Sequence, residues 1–195
     1  MLKKRKNLFV ETLGSPVLRA ISKPVEKVDD ALRNLVEIML LSMEKFNGIG
    51  IAAPQVGRNI RVIAIDVPED SMGEPPTPSE IELLPKMPLI LINPEVEAVG
   101  GDTSRREEGC LSVPGIWAEV ERPERIRLLA ETIDGEKIDV ECGGLLGRCL
   151  QHEVDHLNGL TFIDRLDKTA AAKVEVKVKN LRREGGRNNY HRVLE

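Results

Sequence analysis

Residues 151–162 read QHEVDHLNGLTF. His152-Glu153-Val154-Asp155-His156 is an HExxH pattern, which on a helix stacks the two histidines one turn apart with Glu153 beside them. Two histidines are two metal ligands, and hydrolysis on a metal uses three from the protein. In the continuation HExxHxxGxxH the third is another histidine. Here Gly159 falls in register, but the last position is Phe162, which cannot bind a metal. The segment is read as a helix carrying an incomplete metal site, to be completed from elsewhere in the fold.

Working outward, Leu145 to Leu157 is helical between Gly144 and Gly159, and positions 145, 149, 152 and 156 share one stripe. Leu145 and Cys149 should therefore line the space in front of the histidines. HExxH is also an ordinary pattern on a solvated helix face. Against that stand the occupation of both motif positions by two of only three histidines in the chain and the stripe they share with Leu145 and Cys149.

Upstream, Leu32, Leu35, Val36, Met39, Met43 and Phe46 keep helical spacing, so a helix is expected from about residue 29, capped by Asp29 or Asp30, to Asn47, with Gly48 ending it. Ile60 to Val67 reads as a buried strand and Leu89 to Asn93 as another, stopped by Pro94. Between them, residues 68–88 hold six prolines and read as a surface insertion, not a core element. IRLLAETI and KIDVE flank Asp134-Gly135, a hairpin signal. From Lys168 a last helix is expected, with RREGGRNN marking its end and a mobile tail beyond. The expected class is α+β, with mixed or antiparallel sheets packed around a central HExxH helix and a C-terminal helix. Residues 1–167 would form one catalytic domain, and 168–195 the basic helix and tail.

Composition narrows the rest. With 195 residues the chain can bury a core, and with only five aromatic residues that core must be built mostly from Leu, Ile and Val. No apolar run reaches the roughly 20 residues of a membrane helix. MLKKRKNLFVE is basic but lacks a signal-peptide core, so the protein is read as cytoplasmic. Three irregularly spaced cysteines argue for reduced thiols, with Cys142 and Cys149 as small core residues. The net charge of −4 hides a segment, Lys168 to Arg192, with eight Lys or Arg against two Glu.

Three kinds of residue could supply the third ligand. His191 lies in the polar tail. Glu175, on the last helix, is the thermolysin-like solution and would make the protein an endopeptidase. Cys110, in EEGCLSVPG, offers a thiolate after a permissive Gly109.

GIGIAAPQ (48–55), EGCLS (108–112) and QHEVDHLNG (151–159), in this order, resemble the three signature motifs of the peptide deformylases, and the resemblance runs from about Val10 to Asp167. It implies that Cys110, His152 and His156 hold one divalent metal, Fe2+ natively, with Zn2+, Ni2+ or Co2+ able to substitute. By the same resemblance Glu153 is the general base, and Gln55 and the Leu111 N–H stabilise the oxyanion. Ile49 and Gly50 bind the substrate backbone, and Ile49, Leu145 and Cys149 form the methionine pocket. The substrate would be the formylmethionine end of nascent peptides, with formate released. GIGIAA also fits a dinucleotide fingerprint, but a helix precedes it and Pro54 and a strand follow, so no nucleotide cofactor is expected. Trp117 reads equally as a wall of the cleft mouth or as a core aromatic. The basic terminal helix reads either as a ribosomal RNA contact or as a solvated face.

Overall fold

The structure is a computed structural model that describes residues 8–72, 76–188 and 191–193, so the basic cluster at residues 1–7 lies outside the described residues. Helix α1 (Asp30–Lys45) begins where the Asp29 carboxylate accepts the Leu32 N–H at 2.9 Å. Its end is made by Asn47 in the left-handed region (φ 55°), one residue before the expected Gly48. The chain then turns into β2 (Gly50–Ala52), followed by β3 (Val62–Ile65) and β4 (Leu89–Ala98). With the hairpin β7 (Ile126–Thr132) and β8 (Lys137–Cys142) these form an antiparallel sheet of order β2-β3-β4-β7-β8.

Both faces of this sheet are covered at its centre, which is why β3 and the first four residues of β4 are apolar at every position. Val62, Ala64, Ile90 and Ile92 pack against Leu35, Val36 and Met39 of α1. Ile63, Ile65 and Leu91 turn the other way, onto Leu146, Leu150, Val154 and Leu157 of α3 (Gly144–Leu157), the helix carrying the two motif histidines.

Pro94 does not stop β4. Asn93 takes φ 50° and the register shifts between Ile92 and Glu95, so the proline sits in a bulge where it needs no ladder hydrogen bond. The expectation of a coreless surface loop at 68–88 is also corrected. A short helix α2 (Pro78–Leu83), closed by the Thr77/Glu80 capping box, buries Leu83 and Leu84 among Leu89, Ile126 and Ile138. The prolines are compatible because Pro78 occupies the first turn, where no N–H is needed.

A second sheet, the hairpin β5 (Thr103–Cys110) and β6 (Val113–Pro123), was not anticipated. Ile116, Ala118 and Val120 of β6 point inward, and α4 (Lys168–Asn188) closes over them with Val174, Val178 and Leu181. The basic helix is thus seated in a core cluster of the body. It runs through the stretch expected to end it, and in place of a free tail His191–Val193 pair antiparallel with β1 (Phe9–Glu11). Tyr190, Leu194 and Glu195 lie outside the described residues.

Candidate active site

Three elements converge on a cleft of about 450 Å³: the β2 edge, the turn between β5 and β6, and the histidine face of α3. Cys110 ends β5, and Leu111 and Ser112 turn the chain into β6. The Cys110 Sγ lies 3.2 Å from His156 Nε2, and the candidate ligand atoms of Cys110, His152 and His156 are all within 4.8 Å of one another. Among the described residues these three are the group that could hold a metal ion. His152 places its Nδ1 2.9 Å from a Glu108 carboxylate oxygen, which leaves Nε2 turned toward the other two. One thiolate and two imidazoles at this separation fit a divalent transition metal.

Glu153 sits beside them, 4% exposed, and among the described residues its Oε2 has no hydrogen-bond partner. Burial pushes its carboxyl up to about 7. Gly50 lies directly against it: a Cβ at position 50 would stand 2.5 Å from Glu153 Oε1 and 2.9 Å from Cys149 Sγ, so any side chain there displaces the carboxylate. Burial disfavours a charge on His152, yet hydrogen bonds to Cys110 and Glu108 hold it well up. For His156 the same burial, reinforced by the nearby His152 and Arg122 charges, drives it well down.

Gln55 is buried in the short helical turn Ala53–Val56, where its Oε1 accepts the Ala52 N–H at 2.8 Å. A backbone N–H can only donate, so the amide orientation is settled and Nε2 faces Ser112 Oγ at 3.2 Å and Cys110 Sγ at 3.6 Å. Gln55 therefore aims a donor at the candidate metal site. The Asp66 N–H takes the Ile49 carbonyl at 2.8 Å, so by antiparallel alternation the Gly50 N–H and C=O point off the free edge of the sheet. Of the expected pair, Gly50 presents its backbone to the cleft, and Ile49 contributes its side chain.

Leu145 and Cys149 line the cleft floor as anticipated. Burial pushes the Cys149 thiol well up, so it acts as a small apolar wall, and the Cys142 thiol, pushed up to about 11, belongs to the core. Trp117 is 64% exposed at the mouth and its ring covers Gly109, where a Cβ would meet it at 2.7 Å. It is a wall of the cleft and not a core aromatic. Glu175 is exposed on α4, beside Ile163 and Arg182 in a separate groove, away from the histidines. The endopeptidase alternative that needs Glu175 as a ligand is therefore not favoured.

Sequence reading missed the support behind His152. Glu108 also receives Arg122 through two hydrogen bonds (2.6 and 2.9 Å) and Arg148 at 2.7 Å, while Arg122 reaches Asp155 at 2.9 Å. Asp155 lies inside the HExxH segment and Glu108 inside EGCLS, so both were in view. Arg122, in a run of charges that resembles solvated surface, carried no signal.

A family model described as polypeptide deformylase matches residues 8–172. Peptide deformylase 2 of Gloeobacter violaceus is 42% identical over 164 residues, covering 84% of this chain and 81% of that protein. The peptide deformylase of Bartonella tribocorum is 40% identical over 183 residues, 94% of this chain and 96% of the relative. Among solved structures, a Synechococcus elongatus peptide deformylase in complex with actinonin superposes with a TM-score of 0.72 at 38% identity, covering 95% of this chain and 88% of that one. An inhibitor complex of the Plasmodium falciparum peptide deformylase gives 0.76 at 33% identity, over 89% and 99% of the two chains. The match spans all three motif regions and nearly the whole described fold, and the chain belongs to the peptide deformylase family.

Proposed function

We propose that Cys110, His152 and His156 hold one divalent metal and that Glu153, Gln55 and the Leu111 N–H carry out the deformylation that defines the family. The enzyme is metal-dependent and removes the formyl group from nascent polypeptides. The observation that carries the residue assignment is the buried Glu153 carboxylate, whose Oε2 has no hydrogen-bond partner among the described residues, beside a Cys/His/His triplet.

A divalent ion in this triplet supplies a Lewis acid that activates water and polarises the formyl oxygen. Glu153, buried but open toward the cleft, takes a proton from the attacking water and returns it to the leaving amine nitrogen as the C–N bond breaks, giving formate and a free α-amino group. While the carbon becomes tetrahedral, negative charge grows on the former formyl oxygen. Gln55 Nε2 and the Leu111 N–H donate to it, and because the Ala52 N–H already holds the Gln55 amide, that donor needs no reorganisation as charge develops. The peptide lies along the Gly50 edge as an added strand. Its methionine enters the apolar floor formed by Leu145, Cys149 and Ile49.

Fe2+ is proposed as the native ion, with Zn2+, Ni2+ and Co2+ able to substitute, since the donor set suits all four. Lys173, Lys177, Lys179 and Arg182 are exposed along α4 on either side of its buried valines, and this basic surface is proposed to contact ribosomal RNA phosphate. No described helix is long and apolar enough to cross a membrane, and the proposed place of action is the cytoplasm, where nascent chains emerge.

The test is formate release from a formyl-Met tripeptide by protein purified without air and loaded with Fe(II), with Glu153→Ala as blank. Release that the substitution abolishes supports the assignment. Equal release by wild type and variant removes Glu153 from the mechanism, and no release from metal-loaded protein removes the reaction.

A further inference from the structure

Asp155 occupies one of the two unspecified positions of HExxH, where a solvated side chain would serve, yet it is buried and fully paired. Its Oδ2 accepts from Arg122 Nη1 at 2.9 Å, and both of its oxygens accept from Arg165. Arg122 turns its other two donor nitrogens to Glu108: Nε to Oε1 at 2.6 Å and Nη2 to Oε2 at 2.9 Å. Arg148 Nη1 adds a third contact to Glu108, on Oε1 at 2.7 Å, and His152 Nδ1 completes the set of four on Oε2 at 2.9 Å.

A carboxylate offers about four acceptor sites, and each of those on Glu108 is used. It therefore cannot swing, and the His152 ring bonded to it is fixed with Nε2 toward Cys110. This saturation puts two buried guanidiniums on one carboxylate, an excess of positive charge in a dry interior. Arg148 is additionally held by neutral acceptors, the Ser104 and Val120 carbonyls. Arg122 has Asp155. Without that counter-ion, Arg122 would shift its whole charge onto Glu108 and compete with His152 for Oε2.

We infer that Arg122 and Asp155 are positioning residues for His152: the chain Asp155–Arg122–Glu108 holds the imidazole in the orientation and tautomer that presents Nε2 to the metal. The HExxH segment thus supplies two ligands, the base, and through Asp155 the far end of the brace that steadies its own first histidine. This rests on the assignment of His152 as a ligand.

The readout is metal affinity, measured apart from turnover. Metal-free protein is titrated with Co(II), following the visible absorption of the bound ion, for wild type, Asp155→Asn and Arg122→Lys, with Arg127→Gln, whose Asp139 partner lies on the surface, as comparator. Removing such outer partners weakens metal affinity about 10–100-fold. That loss is expected for both brace variants, with Arg127→Gln unchanged. The double variant should lose no more than the weaker single one, because both act through one chain. Thermal unfolding of the metal-free proteins, recorded in parallel, isolates a merely structural role: lowered midpoints with unchanged Co(II) affinity would overturn the inference. Should Asp155→Asn fail to fold, Arg122→Lys, which keeps the charge but loses the fork, decides alone. Wild type that binds no Co(II) would instead bring down the ligand assignment itself.

Discussion

The ring of Phe162 lies nearly parallel to that of His152, with centroids 6.2 Å apart and an interplanar angle of 23°. Phe162 stands at the register position where another metallohydrolase pattern has its third histidine. Here it packs against a candidate ligand and does not add one. Phe162→Ala is expected to cost about 3–5 kcal/mol of stability and to weaken Co(II) binding by freeing the imidazole. Chemical denaturation of the variant, alongside the Co(II) titration, checks both, and intact metal binding would show that Glu108 alone orients the ring.

Cys110→Ser should lose both metal and activity, since a hydroxyl is a far poorer ligand than a thiolate, whereas Glu175→Ala should retain both. Metal content per chain and formate release are measured on the same preparations. The reverse pattern would restore the endopeptidase reading.

Cys110 is only half-buried, so oxygen can reach the proposed thiolate-bound ferrous centre. Activity of the Fe(II) form is expected to decay in air and persist under nitrogen, with the Ni(II) and Co(II) forms stable in both. Equal half-lives of the iron form in the two atmospheres would contradict it.

Asp164 is partly buried, which raises its pKa, but this is outweighed by the Arg19 guanidinium at 2.7 Å and by hydrogen bonds from Thr161, so its carboxyl is held below the usual range. A folded-state pKa below the unfolded value stabilises the fold above the unfolded pKa, about 3.9, and that contribution fades as pH falls through the lower folded value. Unfolding free energy measured from pH 6 to pH 3 should therefore decline on acidification, and less steeply in Asp164→Asn. Identical slopes would place the acid sensitivity elsewhere.

Removal of residues 168–195 is expected to destabilise the enzyme, not merely detach a basic arm, because Val174, Val178 and Leu181 cover Ile116 and Val120 of β6. Thermal midpoint and formate release should fall together. The proposed ribosome contact is better probed by Lys173→Glu with Lys177→Glu, both exposed, which should weaken ribosome cosedimentation while leaving the midpoint within about 0.5 kcal/mol equivalent.

Several parts of this architecture were legible because a local rule governed them. Period 3.6 marked α1 and α3, Asp-Gly marked the β7–β8 turn, and HExxH with EGCLS located the candidate ligands. The misses have physical reasons. Pro94 looked like a stop because a bulge, which excuses its missing N–H, depends on the partner strand and on Asn93 adopting φ 50°. The alternation of Ile116, Ala118 and Val120 with Trp117, Glu119 and Glu121 did carry a strand signal, but the glycine and proline beside Cys110 drew the reading toward a loop. Arg122 and Arg148 were invisible because buried ion pairs use the same residue types as the surface. Only the fold reveals which charges are dry.

The edge of β2 remains to be considered. Backbone groups left unpaired at the rim of a sheet ordinarily invite another strand, and natural edges are kept short or shielded for that reason. Here the invitation is confined to Gly50–Ala52 and overlooks a narrow cleft with Trp117 at its mouth. A folded neighbour has no loose strand to offer there, whereas an extended chain end does. A peptide read through its main chain is read almost without regard to sequence, but only while it has no structure of its own. With the peptide bound along this edge as proposed, the enzyme would acquire a sense of timing, acting on polypeptides during the interval between emergence and folding.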